Sequence, residues 1–348
     1  MKKILILYTE LAGYFVTCIN HLASKYNTHI ELVAYPKANE APFEFEFHEN
    51  IRVHDRSAHD LSTLQSLLET TEPDLLYCAG WSDKDYIRIA TRNRIVNSLL
   101  GFDNQWNGSP KQQLATVYAK WRFAPVFNYA FVPGQPQKRF ALRMGFDESR
   151  IQMGAYSCDL ELFNGFYSKY HQTKTQSWPK RILYTGRYIH HKGIFDLFEA
   201  FVDLVESEFS DWELHCLGTG EMWDDRVEHP KIHHHGFIQP SDFEKHVGQC
   251  GIFVLPSHFE PWGVVAHEFA AAGFPLLLSD KIGAGSQFLQ EGINGFSFLA
   301  GDKTDLTAKL KLLMGSDDSS LLEMASASHS IAQSISPDTW SKAILEMT

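Results

Sequence analysis

The sequence predicts an α/β fold built as two Rossmann-like, doubly wound domains facing across a cleft. Three observations carry that expectation. Short apolar, β-branched runs alternate with helical patterns along the whole chain, beginning with Lys3–Thr9 and HIELVAY at His29–Tyr35. A length of 348 residues suits two domains better than one. A polar, punctuated stretch at His171–Pro179 reads as a linker near the midpoint. The expected domains are therefore 1–165 and 175–335, with a terminal helix at 337–348 crossing back to the first.

In the first half, Lys3–Thr9 reads as a buried parallel strand that turns at Ala12-Gly13 into a helix through Phe15, Ile19 and Leu22. Gly13 is thus at a strand–turn–helix corner, a common ligand-binding place in doubly wound sheets. Leu61–Glu69 reads as a helix, Asp74–Cys78 and Ile95–Leu100 as strands. Asp103, Asn104, Gln105 and Trp106 follow the second of these, at a carboxyl end where open α/β sheets take ligands. Ala130–Pro133 reads as a strand, Gln135–Met144 as a helix and Ile151–Met153 as a short strand.

In the second half, RILYTGR at Arg181–Arg187 runs through YIHHKG into an amphipathic helix. Strands are expected at Trp212–Leu217, Lys231–Phe237, Gly251–Leu255, Phe274–Leu278 and Gly295–Leu299. Asp302–Met314 and Ser320–Gln333 read as closing helices. No repeat of 20–50 residues is visible.

Composition excludes several classes. No stretch approaches the ~20 apolar residues of a membrane span, and the apolar start reads as a first strand rather than a secretory leader. Five scattered cysteines without a C-x-x-C read as reduced thiols, consistent with a cytoplasmic protein. The net charge of −11 is uneven: residues 1–165 hold 17 Lys/Arg and 18 Asp/Glu, residues 166–348 hold 14 and 24. No long basic face covers the protein, which argues against nucleic acid as a partner. Within the first half, residues 84–150 hold 11 basic and 4 acidic residues. Lys120, Trp121, Arg122, Phe123, Phe127 and Tyr129 lie in that basic stretch. Its mixture suits peripheral contact with an anionic membrane, on the inner face of a cell, although a core helix with a solvated charged side has the same composition.

Pro256–Pro275 carries the densest chemistry. The strand before it breaks at Pro256, Ser257 and Pro261, and a helix runs from Gly263 to a stop at Gly273 and Pro275. Glu260 lies in the loop and Glu268 in the helix. Between them the free N–H groups of the first turn, around Trp262, Gly263, Val264 and Val265, form an anion cradle. Arg187 at a strand end and Lys192 at the next helix start add two cations that suit a diphosphate.

These residues, with the turn at Gly218–Gly220, Gly236-Phe237-Ile238-Gln239 and Glu260-Pro-Trp-Gly…Glu268…Gly273-x-Pro275, resemble the retaining glycosyltransferases of family 4, of GT-B fold. The likeness covers most of the second half; in the first, GAYSCDLELF at Gly154–Phe163 is similar to the family's interdomain segment. The resemblance implies a nucleotide-diphosphate sugar as donor and a glycan or lipid-linked acceptor, in surface polysaccharide or glycoconjugate synthesis. It implies that Glu260 approaches the donor sugar, helped by the amides near Gly263 and Val264, and that Glu268 holds the ribose. Arg187 and Lys192 would bind the diphosphate, Phe237 and Ile238 would lie near the base, and Gly13 would admit the first loop to the donor. No metal or other cofactor is implied.

One position departs from the resemblance. Many family members place a histidine beside the donor sugar, where this chain has Gly101-Phe102-Asp103-Asn104. Asp103 or Asn104 is the residue available to hydrogen-bond the sugar there. His258 and His267 flank the site carboxylates and are candidates to tune them. His233-His234-His235 on a strand point to alternating faces, so all three rings cannot meet one metal. Two other readings stay open: a nucleotide-sugar isomerase or hydrolase, separable by product analysis without acceptor, and a silent nucleotide-sugar-binding scaffold, which would bind a nucleoside diphosphate without turnover.

Overall fold

The computed structural model describes residues 1–36 and 45–348. The chain forms two compact units, Met1–Cys158 with Ile335–Thr348, and Asp159–Ser334.

The first unit runs β1 (Lys3–Leu7), α1 (Gly13–Lys25), β2 (His29–Ala34), β3 (Ile51–Asp55), α2 (Leu61–Thr71) and β4 (Leu75–Ala79). It continues with α3 (Lys84–Arg92), β5 (Asn97–Gly101), α4 (Pro110–Arg122), β6 (Tyr129–Val132), α5 (Gln135–Arg143) and β7 (Ile151–Met153). The second unit begins with α6 (Leu160–Lys174), β8 (Arg181–Thr185), α7 (Ile194–Ser207), β9 (Glu213–Leu217), β10 (Ile232–His234) and α8 (Glu244–Gln249). Then follow β11 (Ile252–Leu255), α9 (Val264–Ala271), β12 (Leu276–Ser279), α10 (Gly285–Phe288), β13 (Gly295–Phe298), α11 (Lys303–Met314) and α12 (Asp318–Ala332). Helix α13 (Pro337–Glu346) returns to the first unit.

Both sheets are parallel. The first has the order β3-β2-β1-β4-β5-β6-β7 and the second β10-β9-β8-β11-β12-β13. In each, sequence order reverses beside the first strand, between β1 and β4 and between β8 and β11. These are the topological switch points at which such sheets open a crevice beyond their carboxyl ends. The central strands are unbroken apolar runs because helices cover both faces; Ile4 to Leu7 and Ile252 to Leu255 are all buried. Helix α7 buries Ile194, Leu197, Phe198, Phe201, Leu204 and Val205, the spacing of one helical face.

Three expectations need correcting. The stretch expected as a linker, His171–Pro179, starts inside α6, which continues to Lys174. The buried Lys174 ammonium lies 4.0 Å from the Phe274 ring, and the Trp178 N–H donates to Asp318 at 3.1 Å, so the segment is anchored in the second unit. The division between units falls at Cys158–Asp159, before residue 165, where Asp159 caps α6 by accepting from the Leu162 N–H at 3.1 Å. The strand expected over Lys231–Phe237 pairs only at Ile232–His234, because Gly236 takes a left-handed φ of 73° and ends it. Strand β3 and helix α10 carried no recognisable signal.

Helix α13 is capped by Ser336 and Thr339 in a reciprocal box. It packs on α1: the Trp340 indole donates to the Ala155 carbonyl at 3.0 Å and stands edge-on to Phe15. Asp338 accepts from the Lys25 ammonium at 2.6 Å and the Tyr26 hydroxyl at 2.9 Å. Among the described residues no helix is long and apolar enough to cross a membrane. All five cysteines are buried.

Candidate active site

The second unit gathers its charged candidates at the switch point between β8 and β11. Strand β8 ends in Thr185 and passes through Gly186 and Arg187 to a tight turn at His190–Lys192. Gly193 then opens α7 with a φ of 65°, and a Cβ there would stand 2.2 Å from the Pro256 carbonyl oxygen. Only glycine fits, and the loops after β8 and β11 therefore touch. The His258 N–H, donating to the His191 carbonyl at 2.8 Å, adds a second tie.

That contact brings Lys192 and Glu260 together. The Lys192 ammonium donates to a Glu260 carboxylate oxygen, with the two side chains only 15% and 17% exposed. The Glu260 backbone is itself fixed, donating to Lys281 and accepting from Gly283, both at 3.2 Å. Arg187 is exposed at the end of β8, and its carbonyl accepts from the Tyr184 hydroxyl at 3.0 Å. Burial and then the Lys192 charge hold the His191 imidazole below its ordinary value; Glu260 opposes them and Arg187 and His258 add to them. The four charged or chargeable side chains thus share one electrostatic neighbourhood around His191.

Helix α9 starts in the same place. Gly263 has a φ of 86°, and no side chain caps the first turn. The amide of Val264 and its neighbour Val265 have no carbonyl within the helix to reach, and the dipole's positive end lies with them. Glu268, one turn along, is pushed up to about 7 by burial and then by the Asp159 carboxylate. Such a carboxyl favours any partner that donates hydrogen bonds to its charged form. Trp262 is expected to contribute its backbone N–H, not its ring. Its ring is buried in an edge-on packing with Phe288, so only its backbone borders the helix start.

Three buried polar atoms near these strand ends lack a hydrogen-bond partner: Thr185 Oγ1, Ser257 Oγ and Trp262 Nε1. Buried polar groups are rarely left so in a folded chain without a ligand or water to meet them. Nearby, the Gly218–Gly220 turn lies against the segment after β8. A Cβ on Gly218 would stand 2.0 Å from the Gly186 carbonyl, and the Tyr188 N–H donates to Thr219 at 2.9 Å. The Gly218 N–H donates to the Gly236 carbonyl at 2.7 Å, which sets Phe237 and Ile238 beside that turn.

His267 does not flank the carboxylates. Its ring is wholly buried, donates to the Ala332 carbonyl at 2.9 Å and stacks on Phe288 at 4.0 Å; burial lowers it to about 4. His258 instead meets Asp196 at 2.6 Å. The strand alternation splits the histidine run as expected: His234 bonds the Tyr188 hydroxyl at 2.8 Å on one face. On the other, Glu213 and His215 from β9 form one trio with His233, and His246 completes a second with His215 and His235. Arg181, paired with Glu213 at 2.7 Å, and Lys245 stand beside these trios and oppose a cation.

In the first unit, Gly13 begins α1 with open space over it. Asp103 and Asn104 follow β5, and the Asp103 carbonyl accepts from Gln137 at 3.1 Å. Sequence reasoning missed what surrounds Asp103. Burial first, and then neighbouring charges that include the Asp103 carboxylate, raise the hydroxyls of Tyr8, Tyr14, Tyr77 and Tyr156. Tyr14 and Tyr156 lie 5.0 Å apart, and Tyr77 sits so close over Gly101 that a Cβ would meet its oxygen at 2.4 Å. Tyrosines after strand ends were a usable signal, but four separate elements supply these.

Against known proteins, residues 169–328 match the family model described as "Glycosyl transferases group 1". Glycogen synthase of Mycobacterium tuberculosis (strain ATCC 25618 / H37Rv) is 29% identical over 150 residues, 40% of this chain and 35% of that protein. "Uncharacterized glycosyltransferase MJ1607" of Methanocaldococcus jannaschii is 31% identical over 127 residues, 34% and 32% of the two chains. The chain spans about a third of the length of the curated relatives it matches. Among solved structures, sucrose-phosphate synthase from Thermosynechococcus elongatus has a TM-score of 0.76 at 14% identity, covering 100% of this chain and 98% of that one. A structure titled as Anabaena Alr3699/HepE in complex with UDP and glucose has 0.73 at 16%, covering 99% of both. The fold is that of the GT-B glycosyltransferases, two Rossmann-like α/β domains.

Proposed function

We propose that the chain is a metal-independent glycosyltransferase that moves a sugar from a nucleotide-diphosphate donor to a glycan or lipid-linked acceptor, with retention at the anomeric carbon. The observation that carries this reading is the Lys192–Glu260 pair set against the uncapped start of α9 at the switch point of the second sheet. The group 1 match over residues 169–328 and the UDP and glucose named in the Anabaena title support the same donor class.

In this reading the diphosphate lies over the Val264 and Val265 amides, with Lys192 and Arg187 supplying the positive charge a metal would otherwise bring. Glu260 accepts hydrogen bonds from the sugar hydroxyls, Glu268 from the ribose, and the base lies by Phe237 and Ile238. The bond between the anomeric carbon and the phosphate oxygen breaks, and its electron pair leaves with the nucleoside diphosphate. The acceptor oxygen attacks the same face, and its proton passes to the departing phosphate. Within the first unit, Gly13, Asp103 and Asn104 are the candidates for sugar contact, and the setting is surface polysaccharide or glycoconjugate synthesis in the cytoplasm.

Lys192→Ala and Glu268→Ala should each cut transfer from a labelled donor by about two orders of magnitude or more while the chain stays folded. Near-normal transfer by both variants sinks the proposal. Screening UDP, GDP, ADP and CMP by thermal shift identifies the base, since a ligand at ~100 times its dissociation constant stabilises by about 2.7 kcal/mol. A second reading rests on Asp103 standing where similar enzymes carry histidine: a silent nucleotide-sugar binder. Nucleotide binding with no donor turnover, with or without acceptor, would favour it.

A further inference from the structure

Helix α4 is apolar on the wrong side for a core helix. Its buried residues are Thr116 and Ala119. Leu114, Val117, Tyr118 and Trp121 are 74%, 58%, 60% and 83% exposed. At about 100° per residue these four fall within an arc of ~100°, centred opposite the buried pair. Four large apolar side chains joined on one face form a patch, unlike apolar residues scattered singly.

Charge says what would cover it. Lys111 and Arg122 lie on one flank of the stripe and Lys120 on the other, by the same helical geometry. From 104 to 146 the sequence has six Lys/Arg (111, 120, 122, 138, 139 and 143) and no Asp or Glu, within a chain of net charge −11. An apolar face rimmed by cations, with tryptophan and tyrosine at its centre, fits the boundary between lipid headgroups and acyl chains. A second copy of this acidic chain would also match the cations, but the tryptophan and tyrosine set within the apolar stripe favour the lipid boundary.

We propose that α4 seats the first unit on an anionic lipid surface, with Leu114, Val117, Tyr118 and Trp121 entering the interface and Lys111 and Lys120 meeting the headgroups. The seat is independent of the transferase reading, because none of these residues belongs to the candidate active site.

Vesicle sedimentation of the full chain tests this, with phosphatidylglycerol vesicles against phosphatidylcholine vesicles at low and moderate salt. Binding should be selective for the anionic vesicles and fall with salt. The pair Trp121→Ser with Leu114→Ser should weaken it by at least about tenfold. Lys111→Gln with Lys120→Gln should weaken it less at moderate than at low salt. Brominated acyl chains should quench tryptophan emission in the native chain and fail to do so in Trp121→Phe, while that variant still sediments. All these side chains are on the surface, so unfolding temperatures should stay unchanged. No sedimentation at low salt overturns the proposal, as does equal binding by the Trp121/Leu114 variant. A self-association in sedimentation velocity that Trp121→Ser abolishes also overturns it, since a second copy would then cover the stripe.

Discussion

Gly193 and Glu268 hold the candidate site in two different ways. Gly193 acts through the backbone: its left-handed φ and its contact with the Pro256 carbonyl leave no space for a methyl group. Gly193→Ala should cost at least ~2 kcal/mol and part the loops that bring Lys192 to Glu260, measurable as a lower denaturation midpoint with weakened nucleotide binding. Glu268 acts through its proton. Its carboxyl is raised from 4.5 to about 7, so the folded chain holds that proton more tightly than the unfolded chain does. Stability from this group is full at low pH and lost as pH rises from about 4.5 to about 7. Glu268→Gln should therefore raise the apo unfolding temperature near pH ~8, by up to about 3 kcal/mol of stability, and change it little near pH ~5. No pH dependence in the difference between the two proteins would contradict the assignment. The types and spacing of Glu260, Lys192, Arg187 and Glu268 were legible in the chain. Their pairing was not, since it depends on which strands are neighbours. The side on which His267 and the Trp262 ring fall was equally hidden, because an eight-residue buried helix is apolar nearly all round.

At the scale of elements, the long apolar strands announced themselves and the short or polar ones did not. Strand β3, IRVHD, buries only Ile51 and sits at the sheet edge, so neither an apolar run nor a clean alternation marks it. The apparent linker misled because polar residues crowd the last turn of α6, whose buried contacts are made by Phe163, Phe166 and the stem of Lys174. Helix α13 was visible as Pro337 followed by an amphipathic pattern, and its partner is now specific. Trp340 fills the first unit's core between Phe15 and Phe131. Trp340→Ala should remove about 3–5 kcal/mol from that unit, read as an earlier calorimetric transition, and leave nucleotide binding by the second unit unchanged. Loss of binding in a still-folded second unit would refute that separation.

Over the whole molecule, both sheets repeat one rule: order reverses beside the first strand, and charged or aromatic residues collect past the carboxyl ends. That much followed from alternating strands and helices. The tyrosines around Asp103 did not, because α1, β4, the residue after β1 and the stretch after β7 contribute one each. UDP or the preferred diphosphate should raise one of two calorimetric transitions and leave the other in place; equal shifts of both would mean the units unfold together. The return of α13 also has a consequence for the chain as it is made. The first unit's core needs Trp340 and Ile344, which leave the ribosome only after every residue of 159–334. The part translated second is therefore the first to have all its own pieces. The part translated first must wait, with Phe15 and Phe131 uncovered, for the segment that finishes it. A chaperone that shields nascent apolar surface would have its longest task at the amino-terminal half, and a stall after Ser334 would leave a finished second unit tethered to an unfinished first one.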